Sequence, residues 1–437
     1  MPRSLVPPLR PHAPPLGALL RQYAAGSALA CDPVDQGLLN RGYRLRTTRG
    51  RYFLKHHFDP ETAAPEAIAR QHGATQRLAA LGVPVAPPLA AHDGRTVAVV
   101  GGHAYALHPW IEGRHRHGAQ LTAEQCGRLG ALLGVVHASL ERVMPVEGCE
   151  QGEKSASARG GARTAEGAPD SEPGTPSGAG TRGGGGLAPP GEGVPDDDRH
   201  RARAGRSAPG AERAASLCPA TMGADGARAD KPDAGHPHVQ NAESTTPVDA
   251  GADPAATFAL IDDLLARVRR HRPADSFDEL ARHRLLERRS LLEQHVGRRP
   301  PHGGPVGWVH GDFHPFNLLY RGDAPAAIVD WDRLGVKPRA EEAVRAAAIF
   351  FVRPAGTLDL PKVRAYARAY RRTAGATPSE LAAAVHRVWW ERLNDFWMLR
   401  WHYERGDTRA DSQFPAASAL VVWWTREYEA VCDAFVG

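Results

Sequence analysis

The chain has 437 residues, a net charge of +5 and a pI near 9.0. Only five of its 54 basic residues are lysines, and the arginines are spread along the chain without the clustered stripe that binds a nucleic-acid backbone. The five cysteines are widely spaced, which excludes a CxxC zinc site and a disulfide-rich secreted fold. No stretch approaches the roughly 20 apolar residues that cross a membrane, so we expect a cytoplasmic protein that binds neither nucleic acid nor membranes.

Composition and pattern divide the chain into successive parts. They are a Pro-rich N-terminal segment (1–25), a small lobe (26–106), a connection (107–113), a larger helical lobe (114–144 and 256–437) and an insert (145–255). The insert is rich in Gly, Pro and Ala and nearly free of large apolar residues. Such a segment cannot offset its ordering entropy by burial, so we predict a disordered linker. Binding of a protein partner by its charged patches is the less favoured alternative.

The small lobe is predicted to contain two antiparallel hairpins and one helix. "GYRLRTT" and "RYFLKHHF" flank a short turn, and "TVAVV" and "HAYAL" flank Gly101-Gly102, which supplies the positive φ of a tight turn. "PEAIARQHGATQRLAALG" lies between the hairpins, with Pro65 suited to the first helical turn and Gly82 to the end. The pattern favours an α+β lobe.

The rest of the chain is predicted to be mainly helical. "LTAEQCGRLGALLGVVHASL" has apolar residues at helical spacing behind Thr122, a residue typical of a helix N-cap. Two amphipathic helices follow the insert, then two short strands, "VGWVH" and "AAIVDW", and then helices from about Ala343 to the end.

These two strands overlap the stretch "VHGDFHPFNLLYRGDAPAAIVDWDRLG" (309–335), which places four aspartates, two histidines and an asparagine between apolar runs. A connection between two strand ends brings Asn317 and Asp330 close together, and their oxygens suit Mg²⁺, which needs one or two protein carboxylates plus substrate phosphates. Asp312 is then free to orient a hydroxyl and accept its proton. A zinc site made by His310, Asp312 and His314 is an alternative permitted by the HxDxH spacing, although it leaves Asn317 unexplained.

These motifs, His310-Gly-Asp312-Phe-His-Pro-Phe-Asn317 and Ile328-Val-Asp330-Trp-Asp332, resemble those of the aminoglycoside phosphotransferase/choline kinase-like superfamily. Their wording is close to homoserine kinase-like members, and the resemblance covers the chain outside the insert and the Pro-rich segment. It implies a bilobal protein-kinase-like fold with Asp312 as catalytic base, Asn317 and Asp330 as magnesium ligands, and His310 as a support for the loop. Two roles stay open for Asp332: it helps to hold a second metal or a substrate group, or it is a solvated carboxylate.

The same resemblance implies a nucleotide-binding small lobe. Lys55, on the third strand and the only lysine before the insert, would hold the nucleotide phosphates. Gln71, on the inward helix face, occupies the place where the family usually has a glutamate that pairs with this lysine. The glycine-loop region, "AGSALACDPVDQGLLNRG" (25–42), has no GxGxxG, which departs from the kinase pattern. Gly37, Asn40 and Gly42 would shape the turn over the phosphates. Backbone groups expected to bind the adenine edge are those of His108, Pro109, Trp110 and Ile111.

The acceptor side of the molecule is less specific in sequence. Trp390, Trp397 and Trp401 recur at helical spacing, which favours core packing over an aromatic acceptor pocket. Acidic residues that would bind positive substrate groups, or remain solvated, are Glu341, Glu342, Glu391 and Asp395.

The sequence therefore predicts a small-molecule kinase. With Mg²⁺, it would move the γ-phosphate of ATP or GTP to a hydroxyl or amine of a small acceptor. The alternative is a nucleotide-binding pseudokinase that acts as a regulatory scaffold, for which Gln71 is the main support. Phosphorylation of protein side chains is disfavoured because no activation segment with an APE-type ending follows Asp330.

Overall fold

The structure is a computed structural model that describes residues 13–34, 40–57, 64–145, 251–301 and 303–437. Of the predicted phosphate-covering turn, Gly37 lies outside the described residues, whereas Asn40 and Gly42 are described. The predicted disorder of the insert lies outside the described residues, apart from the two ends of the insert. At its far end a helix begins at Pro254 and is capped by Asp253, so helical structure starts slightly before the predicted boundary.

The small lobe is built on a five-stranded antiparallel sheet with the strand order β1-β2-β3-β5-β4. Its strands are β1 (Ala28–Val34), β2 (Arg41–Thr47), β3 (Gly50–His57), β4 (Ala98–Val100) and β5 (His103–Pro109). Both predicted hairpins are confirmed, and the turn residues Gly101 and Gly102 have φ values of +60° and +80°. Strand β1 was not expected, since its sequence was assigned to the glycine loop.

Two helices pack on this sheet. Helix α2 (Pro65–Ala80) begins with proline and buries the predicted face that includes Gln71. Helix α1 (Leu16–Leu20) lies in the Pro-rich segment, where Leu19 and Tyr23 are buried in the core of the sheet. The part of residues 1–25 that the structure describes therefore belongs to the small lobe, because its apolar side chains are buried in the core of that lobe.

The larger part of the molecule is mainly helical, as predicted. Its helices are α3 (Ala123–Val143), α4 (Pro254–Arg270), α5 (Ser276–His295), α6 (Arg339–Phe350), α7 (Leu360–Ala374), α8 (Pro378–Asn394), α9 (Trp397–Arg400), α10 (Phe414–Arg426) and α11 (Tyr428–Val436). Trp389, Trp390 and Trp424 are fully buried in their common core. None of the helices in the described ranges is long and apolar enough to cross a membrane.

Two small hairpins carry the polar motif. Strand β6 (Val306–Val309) pairs with β9 (Gly335–Pro338), and β7 (Leu318–Arg321) pairs with β8 (Ala324–Ile328). The two predicted strands correspond to β6 and β8, but each pairs with a strand that the sequence analysis did not identify. The nested pairing returns the chain to the end of β6 after β8, which brings residues 310–317 and 329–334 together.

Helices α3 and α7 approach each other closely at glycine. A Cβ atom added to Gly130 of α3 would collide with the backbone carbonyl of Tyr366 on α7. At Gly127, one turn earlier on α3, the nearest atom is the Ala365 carbonyl at 3.5 Å, an ordinary contact. The close approach holds α3, which carries part of the site described below, against the helical core.

We predict that Gly130→Ala destabilises the protein by about 2–3 kcal/mol, because the helices must separate to admit a methyl group. The matched variant Gly127→Ala is expected to be neutral or to stabilise by up to about 1 kcal/mol, since alanine favours helix. Urea unfolding of both variants measures the difference. Equal stability of the two variants would contradict the proposed close packing.

Candidate active site

The loop after β6 places the polar side chains of Asp312, His314 and Asn317 at the junction of the two hairpins. Gly311 has a φ of +84°, and a Cβ there would collide with the Arg333 carbonyl, so both the conformation and the space require glycine. A short 3₁₀ turn at Pro315–Asn317 ends the loop and leads into β7. The sharp turn at Gly311 directs Asp312 out of the strand.

Asp312 is held by its neighbours while its carboxylate stays accessible. The Asn317 amide donates to the Asp312 carbonyl at 2.8 Å and approaches the carboxylate at 3.4 Å, and His314 Nε2 lies 3.4 Å from the same carboxylate. The Asp312 side chain is 39% exposed. Burial opposes ionisation, but the hydrogen bond from His314 and nearby positive groups hold the Asp312 pKa below its usual range. Asp312 is therefore an anion at neutral pH that a second molecule can reach.

His310 is a structural support beneath this loop. Its ring is buried against Trp331, with centroids 4.5 Å apart, and burial lowers its pKa. Nε2 donates to the Val329 carbonyl at 3.0 Å, and Nδ1 accepts from the Asp312 backbone N–H at 3.2 Å. Both ring nitrogens are used, so the alternative zinc site that includes His310 is wrong.

Glu342 holds the same loop from the other side. Its carboxylate, 3% exposed, accepts hydrogen bonds from the backbone N–H groups of His310, at 3.2 Å, and of Gly311. His137 on α3 donates to it at 2.7 Å and contacts the Tyr370 hydroxyl at 3.0 Å. Burial opposes ionisation of Glu342, but these donors keep its pKa below the ordinary value. Glu342 is not a surface acid, which corrects the expectation that it binds substrate or solvent.

An ion cluster joins the small lobe to the motif. Lys55 Nζ lies 2.7 Å from an oxygen of Asp330 and 2.7 Å from an oxygen of Asp332. The lysine side chain is only 10% exposed, whereas that of Asp330 is 44% exposed. Asp330 also has a φ of 60°, the one positive φ of a non-glycine residue among the described residues. Such a conformation is held only where the surroundings impose it, and it is typical of functional sites.

The three charged groups of this cluster shift each other's pKa values. Burial alone would lower the Lys55 pKa, but the carboxylates of Asp330 and Asp332 raise it above its ordinary value. The Asp330 pKa is lowered, because the ammonium outweighs burial. Burial and the neighbouring Asp330 raise the Asp332 pKa. Asp330 is the more firmly ionised carboxylate and the stronger candidate to hold a cation.

Gln71 reaches the cluster differently from what the sequence predicts. Its amide donates to the Asp332 backbone carbonyl at 2.9 Å and is not bonded to Lys55. The ammonium already has two carboxylate partners, so it does not need one from α2. Asn40, just before β2, donates to the Asp332 carboxylate. Asp332 is thus bonded by α2 and by the segment just before β2, and it is not a freely solvated acid.

The donor set fits Mg²⁺ without forming a closed metal site. The Asn317 amide nitrogen is used by Asp312, which leaves Oδ1 as an acceptor, and Asp330 has a second carboxylate oxygen beside the one that faces Lys55. No group of three or more His, Cys, Asp or Glu able to hold a metal occurs in the part of the chain that the structure describes. A hard cation bound here would take its other ligands from a phosphate-bearing substrate and water.

The connection between the lobes follows β5. His108 Nδ1 lies 2.9 Å from the Ala86 carbonyl, which only accepts, so the proton is on Nδ1 and Nε2 carries a lone pair. Nε2 is buried without a hydrogen-bond partner in the described residues, and burial lowers the His108 pKa to about 4. The backbone N–H of Trp110 donates to the Arg51 backbone carbonyl at 3.2 Å, and the Trp110 ring packs beside Arg44.

The sequence analysis gave Glu342 a different role and did not identify His137 as a supporting residue. A signal was present for both, because each is in phase with a buried apolar stripe. Glu342 precedes the buried Ala346 and Phe350 at helical spacing, and His137 lies between the buried Val136 and Leu140. A polar residue on such a stripe must be hydrogen-bonded in the interior.

Comparisons with known proteins agree with the resemblance seen in the motifs. The family model described as "Phosphotransferase enzyme family" matches residues 30–376. A homoserine kinase of Neisseria meningitidis is 34% identical over 118 residues, which are 27% of this chain and 37% of that protein. A homoserine kinase of Brucella anthropi is 29% identical over 122 residues, 28% of this chain and 36% of that protein. The matches thus span less than two fifths of either relative.

A solved structure shows the same fold. Spectinomycin phosphotransferase in complex with ADP and spectinomycin has a TM-score of 0.51 and 10% identity, with 94% of this chain and 97% of that chain covered. At this identity the likeness concerns the fold alone. It confirms the predicted α+β class, with an antiparallel small lobe and a mainly helical larger lobe.

We predict that Glu342→Gln destabilises the protein by about 3 kcal/mol at pH 7, because an amide cannot accept all the buried donors that face the carboxylate. The Glu342 pKa is lower in the folded than in the unfolded protein, so its contribution is present above the unfolded pKa and is lost as the pH falls. The gap between wild type and variant should therefore close below about pH 4.

Urea unfolding of both proteins at pH 7 and at lower pH measures this gap. The control is Glu124→Gln, which changes an exposed acid paired with Arg128 on α3. A gap that is independent of pH would show that Glu342 is uncharged in the folded protein, contrary to the network described above.

Proposed function

Because the chain belongs to the phosphotransferase enzyme family, we propose that it is a Mg²⁺-dependent small-molecule kinase. It moves the γ-phosphate of ATP or GTP to a hydroxyl or amine of a small acceptor. One observation carries the proposal: the Lys55 ammonium lies 2.7 Å from Asp330, at the junction where Asp312 and Asn317 also lie. A phosphate-binding cation, a metal-binding oxygen pair and an accessible carboxylate base are the parts that phosphoryl transfer requires.

Asp312 acts as the base in this proposal. Its carboxylate is ionised at neutral pH and accessible, so it can accept the proton of the acceptor hydroxyl. As the acceptor oxygen bonds to the γ-phosphorus, the bond from that phosphorus to the β-phosphate oxygen breaks, and the nucleoside diphosphate leaves with those electrons. Asn317 and His314 keep Asp312 in position through the contacts described above.

Asn317 and Asp330 would hold Mg²⁺, which would neutralise phosphate charge when bound. Lys55 contributes a second positive charge for the phosphates, and its pairing with Asp330 and Asp332 fixes its position before the nucleotide binds. A raised Lys55 pKa means that it stays protonated at every pH at which the protein would work. Gln71 and Asn40 support this lysine indirectly, through Asp332.

The nucleotide base is proposed to bind at the connection between the lobes. Antiparallel strands alternate between bonded and unbonded pairs, and the Trp110–Arg51 bond makes the neighbouring Tyr52–Pro109 pair an unbonded one. The Pro109 carbonyl therefore faces away from β3, and continued alternation gives the Ile111 N–H the same direction. These groups supply one acceptor and one donor for the edge of the base, and His108 lies behind them.

The acceptor is proposed to be a small molecule. The chain passes from Asp332 directly to β9 at Gly335 and then into α6, so this stretch forms no platform for a protein substrate. The relatives named homoserine kinase and the structural neighbour spectinomycin phosphotransferase are proteins whose names give small acceptors. The acceptor of this chain is a hydroxyl or amine compound to be identified by screening.

The first prediction of this proposal concerns turnover. Release of ADP or GDP from the Mg²⁺-nucleotide should depend on one member of a panel of amino-acid alcohols, amino alcohols, sugars and aminoglycosides. Asp312→Asn should lower kcat by about 100-fold or more with little effect on nucleotide affinity, because the proton acceptor is lost. Asp323→Asn is the control, since Asp323 is an exposed turn residue paired with Arg116.

The outcomes separate the two candidate functions. Tight Mg²⁺-nucleotide binding without turnover for any acceptor would favour the pseudokinase, whose support in the sequence is Gln71 in place of the family's usual glutamate. Near-normal turnover of Asp312→Asn would exclude Asp312 as the base. Absence of nucleotide binding would refute both.

The second prediction separates the two carboxylates that contact Lys55. Asp330→Asn should raise the Mg²⁺ concentration for half-maximal rate by about tenfold or more, since even indirect partners of a metal are worth 10–100-fold in affinity. Asp332→Asn should leave this concentration unchanged and weaken nucleotide binding instead, because it loosens Lys55. Rate measurements over a Mg²⁺ titration give both values. An equal shift in the two variants would make Asp332 a metal ligand as well.

A further inference from the structure

A second cleft lies in the helical lobe, lined by none of the residues assigned to phosphate transfer. It lies between α5, α10 and the segment that joins α8 to α9. Its walls combine cations with aromatic rings: Arg284, Arg288, Arg392, Phe396, Trp397 and Phe414. Cations and apolar surface together are the lining of a site for an amphipathic anion.

Arg288 is the most buried of the three cations, with 5% of its surface exposed. Its Nη1 donates to the carbonyls of Arg392, at 2.6 Å, and Leu393, at 3.3 Å, which lie at the C-terminal end of α8. Its Nε and those of Arg284 and Arg392 are buried with no hydrogen-bond partner among the described residues. Buried donors are nearly always bonded in folded proteins, so three unbonded ones at one cleft are unusual.

Two of the three arginines at the cleft have no carboxylate of the described residues in contact with them. Arg284 is paired with Glu287 at 2.6 Å, but no carboxylate of the described residues lies within 4.0 Å of Arg288 or Arg392 in an ion pair. Asp395 is the one acid of the lining, and its carboxylate accepts from the Trp397 N–H at 3.0 Å. Glu287, Glu391 and Asp395 attract these arginines from a distance, but none of them forms an ion pair with Arg288 or Arg392.

A buried guanidinium without an ion-pair partner costs free energy, and the pKa values of Arg288 and Arg392 reflect this cost. Burial lowers the Arg288 pKa to about 10 and also lowers the pKa of Arg392, because it outweighs the attraction of the nearby acids, Asp395 and Glu287 for Arg288 and Glu391 and Asp395 for Arg392. A side chain of this kind persists when it serves a purpose other than stability. An anion entering the cleft would supply the absent partner.

We propose that this cleft binds a small organic monoanion, namely a carboxylate carried on an aromatic or apolar body. The guanidinium of Arg392 pairs with the carboxylate, as planar guanidinium and carboxylate groups do elsewhere. The rings of Phe396, Trp397 and Phe414 contact the apolar body. The unbonded guanidinium groups favour an anion over a neutral molecule of the same shape. This binding does not depend on the proposed phosphate transfer.

Calorimetry of the full chain with benzoate and with benzamide in low-chloride buffer tests the proposal. The two probes have nearly the same shape, and only benzoate carries the charge. Benzoate should bind measurably at concentrations up to about 10 mM, and benzamide should bind at least tenfold more weakly. Arg392→Gln should lower benzoate affinity at least tenfold, whereas the control Arg400→Gln, an exposed residue of α9 paired with Glu404, should not.

A second measurement keeps the test independent of folding defects. Without ligand, Arg392→Gln should unfold at the same temperature as wild type or higher, because an unpaired buried charge has been removed. Benzoate should raise the unfolding temperature of wild type and not that of the variant. Equal binding of benzoate and benzamide, unchanged benzoate affinity in Arg392→Gln, or no benzoate binding at all would each overturn the proposal.

Discussion

The ammonium of Lys55 lies between the carboxylates of Asp330 and Asp332, and this buried cluster ties the small lobe to the motif of the larger one. Removing Lys55 would leave two adjacent carboxylates without a counter-ion, a loss far greater than that of an exposed ion pair. The lobes are therefore joined by charges that a nucleotide with its cation would also use. Gln71 and Asn40 bind Asp332 and so reinforce the cluster without carrying charge themselves.

A second anchor fixes the loop that presents Asp312. Glu342 accepts two backbone N–H groups of the loop and the His137 ring, while His310 binds the Val329 carbonyl. The loop is thus held from below by α3 and α6, and its geometry does not depend on a bound substrate. Preorganised groups of this kind need no rearrangement when charge develops in a reaction.

Local patterns predicted much of this arrangement and failed at identifiable points. The inward face of α2 was predicted correctly, but the partner of Gln71 was not, because periodicity gives the direction of a side chain and not the atom it meets. Trp390, Trp397 and Trp401 were expected on one helix, whereas the chain breaks at Asp395, which caps the following turn at the Trp397 N–H. A capping residue competes with helix continuation, and the apolar spacing does not reveal which prevails. The chemical roles given to Asp312, Asn317 and Asp330 remain predictions.

The sequence by itself determined the elements and the reactive groups. Turn glycines, helix caps and apolar spacing are local properties, and the motif from His310 to Asp332 brings its polar groups together within one short stretch. Only the tertiary structure decided which charges balance each other. Lys55 and Asp330 are 275 residues apart in sequence, and the unbonded Nε atoms of Arg288 and Arg392 are recognised only because no described residue offers them an acceptor. Electrostatic energy depends on distance and burial in space, and neither can be read from position along the chain.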